Sequence, residues 1–74
     1  VIDALPIDVR QVLDRMPAVR DANIVGSWAM GIAKTGQDVF DAVLRERNTE
    51  AREAASRLAA ASIRLVEYLN QDWP

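Results

Sequence analysis

The stretch Asp38–Asp72, DVFDAVLRERNTEAREAASRLAAASIRLVEYLNQD, decides how this chain is read. Wound at 3.6 residues per turn, Phe40, Val43, Leu44, Ala51, Ala54, Ala55, Leu58, Ser62, Leu65, Val66 and Leu69 fall on one face. The other face carries Arg45, Glu46, Glu50, Arg52, Glu53, Arg57, Arg64 and Glu67, a solvated surface on which Asp41/Arg45 and Glu53/Arg57 stand at i, i+4 spacing. The pattern predicts one long amphipathic helix over about residues 36–71. It starts at Thr35-Gly36-Gln37-Asp38, which resembles a capping box with Asp38 in the place of the usual Glu or Gln. The stripe weakens at Arg47-Asn48, where a close helix crossing and the end of the covering partner are both compatible readings.

Such a helix would extend about 50 Å at a rise of 1.5 Å per residue. The first half of the chain is too short to cover its apolar face. A 74-residue chain buries a modest core, and this one has no cysteine to staple it. Burying a Leu or Phe side chain is worth about 1.5 to 3 kcal/mol, so Phe40, Leu44, Leu58, Leu65 and Leu69 are read as a partner interface. A homodimer or a heterodimer with a related helical hairpin is expected.

Upstream, Val9, Val12, Leu13 and Met16 recur at helical spacing, with Pro6 suited to a first turn and Asp8 placed at the positive end of the dipole. A helix is expected from about residue 6, broken or kinked at Pro17, with Val19, Ala22, Asn23 and Val25 able to extend its apolar face to about residue 25. Gly26-Ser27-Trp28-Ala29-Met30-Gly31 is read as the joint between the two helices, spanning about residues 26–34, with Gly26 and Gly31 bracketing Trp28 and Ser27 available as a cap. The fold class is all-α: a helical hairpin with a short kinked first helix, a Trp/Gly joint and a long second helix, in a single domain over 1–74.

Composition narrows the function classes. Histidine is absent, which removes the commonest general base and metal ligand, and a formal charge of -2 disfavours phosphate binding. Neither an enzyme nor a nucleic-acid binder is expected. Glu46, Glu50 and Glu53 share a face but lack the Glu-x-x-His partner of carboxylate-bridged metal bundles. The glycines at 26, 31 and 36, with Lys34, fit neither a phosphate loop nor a dinucleotide fingerprint. The five arginines between Arg45 and Arg64 are interleaved with glutamates and do not make a basic recognition helix. No catalytic, cofactor or metal residue is assigned. No apolar run is long enough to span a membrane, and the residues from Val1 onward lack the pattern of a signal peptide.

The order helix, Trp28-Ala29-Met30-Gly31 joint, long alanine-rich helix, then Tyr68-x-x-x-Asp72 resembles the WXG-like small helical hairpins of type VII (ESX) secretion. The likeness is best over Gly36–Asp72, where Gly36, Phe40, Leu58, Ala61, Leu65, Tyr68 and Asp72 match the small, aromatic and apolar positions that lead to the Y-x-x-x-[DE] tail. The joint is one residue longer than the family's W-x-G, so the resemblance is to a diverged, secretion-associated member. It implies a four-helix bundle made by two hairpins, export from the cell, and an export signal at Tyr68 and Asp72 read by a secretion ATPase or chaperone. From the residues alone, Tyr68 is equally an amphipathic side chain closing the apolar seam. The competing class is a cytoplasmic dimerisation or regulatory module, antitoxin-like or DNA-associated.

Overall fold

The computed structural model describes residues 5–71, which form three α-helices and no strand. Helix α1 spans Ile7–Arg15, α2 spans Val25–Leu44 and α3 spans Asn48–Leu69, with a short 3-10 turn at Ala22–Ile24 leading into α2. The all-α class holds. The hairpin is differently placed from the sequence expectation.

Helix α1 follows Pro6, has Asp8 in its first turn and buries Val9 and Leu13. It ends before Pro17, with Met16 extended at φ -98 and ψ 123, as the ring of a following proline demands. Pro17 therefore stops the helix and does not kink it. Residues 17–21 run without helix, and within them Val19 is almost fully buried. The open carbonyls of the last turn are met from far along the chain. The Arg64 guanidinium donates to Met16 O at 3.1 Å and Leu13 O at 2.9 Å, and is held by Glu67 at 2.9 Å. A cation at a helix C-terminus also complements the dipole. Arg64, assigned by its spacing to a solvated face, instead fastens α1 to α3.

The Trp/Gly segment is not a joint. Gly26, Trp28 and Gly31 all lie within α2, and no glycine has a positive φ. The helix starts upstream, where the Asp21 carboxylate accepts from Asn23 N–H at 2.8 Å and caps the turn in the role expected of Ser27. Thr35 does not cap a helix either. Its hydroxyl donates back to Gly31 O at 2.8 Å inside α2.

The predicted long helix over 36–71 is in fact two helices, reversed at Arg45-Glu46-Arg47. Glu46 takes φ 58, while Arg47 N–H donates to Ala42 O at 2.9 Å and Glu46 N–H to Val43 O at 3.1 Å. These two bonds are those of a Schellman motif, with Glu46 in the position that glycine usually takes. The turn puts Glu46 off the helix that holds Glu50 and Glu53, so the three no longer share a face.

A turn this short makes α2 and α3 antiparallel neighbours. Helix α1 also packs on α3, with Asp8 near Arg52 at 3.6 Å and Arg64 at its other end, so it runs parallel to α3. The result is a thin layer, with principal extents of 46, 27 and 16 Å. Helix α3 is its centre.

Candidate interaction surface

The surface follows from two registers on each helix of the α2–α3 hairpin. On α2 the less exposed positions are Val25, Trp28, Ile32, Thr35, Val39 and Ala42, at alternating spacings of three and four, with Gly36 partly covered beside them. On α3 the matching positions are Ala54, Ala61 and Tyr68, at sevens, of which Ala54 and Tyr68 are buried. These seams join the two helices. One residue later on α2 come Gly26, Ala29, Ala33, Gly36, Phe40 and Val43, and one residue later on α3 come Ala55, Ser62 and Leu69.

A step of one residue turns a helix by about 100°. Because both helices are right-handed and antiparallel, that step carries both to the same side of the layer. The step in the opposite sense reaches Lys34, Asp38 and Asp41 on α2 and Glu53 and Glu67 on α3, and this is the polar side. There a groove of about 390 Å³ is bordered by Asp38, Asp41, Arg45, Glu50, Glu53 and Arg57, a mixture of acidic and basic groups. Helix α1 lies toward this side, against Arg52, Glu53, Ser56 and Arg57. The hairpin's other side is left uncovered.

That uncovered side is apolar. Phe40 is 57% exposed, Val43 59%, Leu44 66%, Val66 53% and Leu69 58%. Met30 flanks it and is also exposed. Leu58 and Leu65 are half-buried, lying between the seam with α2 and the open side. Of the five residues read as a partner interface, three therefore stand in solvent and two are partly covered by the chain itself. They sit on two antiparallel helices and not along one. Ala54, placed on the same stripe by its spacing, is turned inward against α2 at 3% exposure. The contributions of Ala29, Ala33 and Gly26 were hidden because the sequence there reads as a loop.

Tyr68 lies in the last turn of α3 and is buried at 5% exposure, a packing position at the end of the seam with α2. Asp72, the other half of the tail motif, lies outside the described residues. The joint residues contribute differently: Trp28 is half-buried on the inner seam, Gly31 lies on the polar side, and Gly26 is on the open apolar side. A Cβ added at Gly26, Gly31 or Gly36 meets nothing within 4 Å, so the folded chain itself requires none of the three to be glycine.

Apart from Arg64–Glu67, whose arginine is partly buried, the ion pairs are surface features. Arg47 and Glu50 approach to 3.5 Å beside the turn with both side chains more than half exposed. The i, i+4 partner of Asp41 is Gln37, whose amide donates at 3.4 Å, and not Arg45. Ser56, buried on α3, satisfies its hydroxyl on Arg52 O at 2.8 Å. Among the described residues, no buried side-chain polar atom is without a partner, no acidic cluster is arranged to hold a metal, and no helix is long and apolar enough to cross a membrane. Set beside known proteins, the chain matches no family model, no curated protein and no solved structure.

Proposed function

We propose that this chain is a non-enzymatic helical interaction module that docks another helical surface on the open side of its α2–α3 hairpin. The observation that carries the reading is the row of large apolar side chains, Phe40, Val43, Leu44, Val66 and Leu69, more than half exposed and on one side of a layer whose other side is charged. Contiguous exposed apolar surface is uncommon on small soluble domains and marks sites of association. Replacing Leu69 or Val43 with Asp tests this directly. Both side chains are exposed, so helicity and melting temperature should hold while association is lost. A variant that still associates as strongly as the parent removes the reading.

The finer form of the proposal follows the resemblance: a type VII secretion substrate or secretion-associated partner, exported with a related hairpin on its apolar face. What supports it is an antiparallel pair of long helices with Tyr68 in the final turn of the second. Because Tyr68 is buried, its removal would unsettle the fold, and Asp72 is the better probe. In cells with an active secretion system, Asp72→Ala should leave the protein folded and retain it inside. Undiminished export of that variant would discard the secretion role and leave the docking role standing.

A further inference from the structure

Helix α3 is covered on two sides. Its seam with α2 runs through Ala54, Ala61 and Tyr68, yet Ser56 and Ala60 are buried too, although a step of about 100° per residue sets both well round the helix from that seam. Ser56 faces the groove shared with α1, and Ala60 follows it one turn later. Their cover is α1.

That cover is slight. Helix α1 has 9 residues, fewer than an isolated helix needs to persist in water, so its helicity depends on lying against α3. It buries Val9 and Leu13, and Val19 is buried in the nonhelical run that follows. Ordering the backbone of one residue costs a free energy comparable with what one such side chain returns on burial, and most residues from 7 to 20 bury nothing. The hairpin is better founded. Its helices have 20 and 22 residues, its seam holds Trp28, Ile32, Val39 and Tyr68, and its turn is closed by its own backbone bonds. The bond that starts it, from Asn23 N–H to Asp21, lies outside α1, and Ser56 satisfies its hydroxyl on Arg52 O within α3.

The two ends of α1 are held unequally. Asp8 and Arg52 stand 3.6 Å apart with both side chains exposed, a weak hold. At the other end the partly buried Arg64 closes Met16 O and Leu13 O with one guanidinium, itself steadied by Glu67. A planar fork of donors can span two carbonyls in this way, and a lysine ammonium lacks that shape.

From this we infer that α1 and its connection form a strap that opens and closes on α3 as one unit, latched by Arg64, while the α2–α3 hairpin stays folded. Closed, the strap shields Ser56 and Ala60. Open, it bares that side of α3 and releases Val9 and Leu13. The device controls a side of the hairpin distinct from the open apolar face, and it holds whether or not that face docks a partner.

Native-state hydrogen exchange on the full chain tests it. Amides of residues 10–16 should exchange through an opening roughly tenfold or more frequent than that of the slowest amides in α2 and α3, with a weaker dependence on denaturant because less surface is exposed. Ile32→Val, on the hairpin seam, should speed those slowest amides by about two- to fivefold and leave residues 10–16 unchanged. Arg64→Met keeps the stem and removes the fork, and should speed exchange in residues 10–16 by roughly tenfold or more. Arg64→Lys should recover at most part of that loss. Leu13→Asp should abolish protection in residues 10–16 and leave α2 and α3 protected. One common opening for all three helices overturns the inference, as does an Ile32→Val effect that reaches α1 or a Leu13→Asp chain with no protected helix. Full protection of α1 in Arg64→Met, or full recovery by Arg64→Lys, overturns the latch.

Discussion

The segment 26–36 carries three glycines and stays helical throughout, whereas the segment 45–47, Arg-Glu-Arg, has none and is where the chain reverses. Each helical glycine costs about 1 kcal/mol relative to alanine. That cost falls on a stretch whose inner seam holds Trp28, Ile32 and Val39, and each large apolar side chain returns about 1.5 to 3 kcal/mol when fully buried. Even half that burial offsets the glycines. At the other segment the balance inverts. Continued past Ala42, the inner seam would reach Glu46 and Thr49, polar residues with nothing to gain against α3. The helix stops where its buried row would turn polar, and Glu46 accepts a left-handed conformation to let α3 fold back. The difference teaches that a helix persists or ends here according to what its next seam position can bury.

The comparison breaks most completely if the turn is forbidden. Proline at Glu46 would demand φ near -65 where the chain holds 58, and would remove an N–H that bonds Val43 O. Glu46→Pro should cost about 3 kcal/mol or more and abolish the cooperative melt. A hairpin that survives it would show that the Schellman bonds are dispensable. Next in size, Trp28→Ala should cost about 2 to 3 kcal/mol for a half-buried aromatic, below the range for a fully buried one. Hydrogen exchange should then speed up in residues 25–36 more than in residues 37–44. Uniform loss of protection would mean that Trp28 does not hold the glycine segment in particular.

Two stabilising changes sharpen the contrast. Glu46→Gly relieves the left-handed residue, and Gly31→Ala strengthens a helix at a site with open space and no seam contact, each by about 0.5 to 1 kcal/mol. Both should raise the denaturant midpoint. An unchanged or lowered midpoint for Glu46→Gly would locate the strain elsewhere than at the turn. The smallest effect belongs to the Arg47–Glu50 pair beside the turn. Arg47→Ala should change stability by less than about 0.5 kcal/mol, the difference vanishing in high salt, as exposed pairs do.

Much of this was legible from spacing. The all-α class, the start of α1 near Pro6, an interruption at Pro17, and the apolar character of Phe40, Leu44 and Leu69 follow from period and from proline chemistry. The position of the hairpin was not. Local punctuation favoured the glycines around Trp28, and the true turn lacks the glycine that usually marks it. Arg64 could not be told from its solvated neighbours, because its role depends on carbonyls at Leu13 and Met16, distant in sequence. The open face was half visible. Phe40 and Leu44 were seen, but Ala29 and Ala33 were concealed inside a supposed loop.

The sequence by itself determined the helices' amphipathic periods, since those depend only on which residues recur at three and four. It also determined that proline interrupts the first helix, and the structure decided that the interruption is a stop. Only the tertiary structure decided that one stripe becomes two antiparallel seams, that Arg64 closes a helix far from it in the chain, and that Tyr68 is buried while Phe40 is not. The reason is that two adjacent registers on a helix are equally apolar to the eye. Which one faces inward is fixed by the partner helix, and that partner is placed by a turn that falls where the buried row of α2 would turn polar and that carries no glycine to mark it.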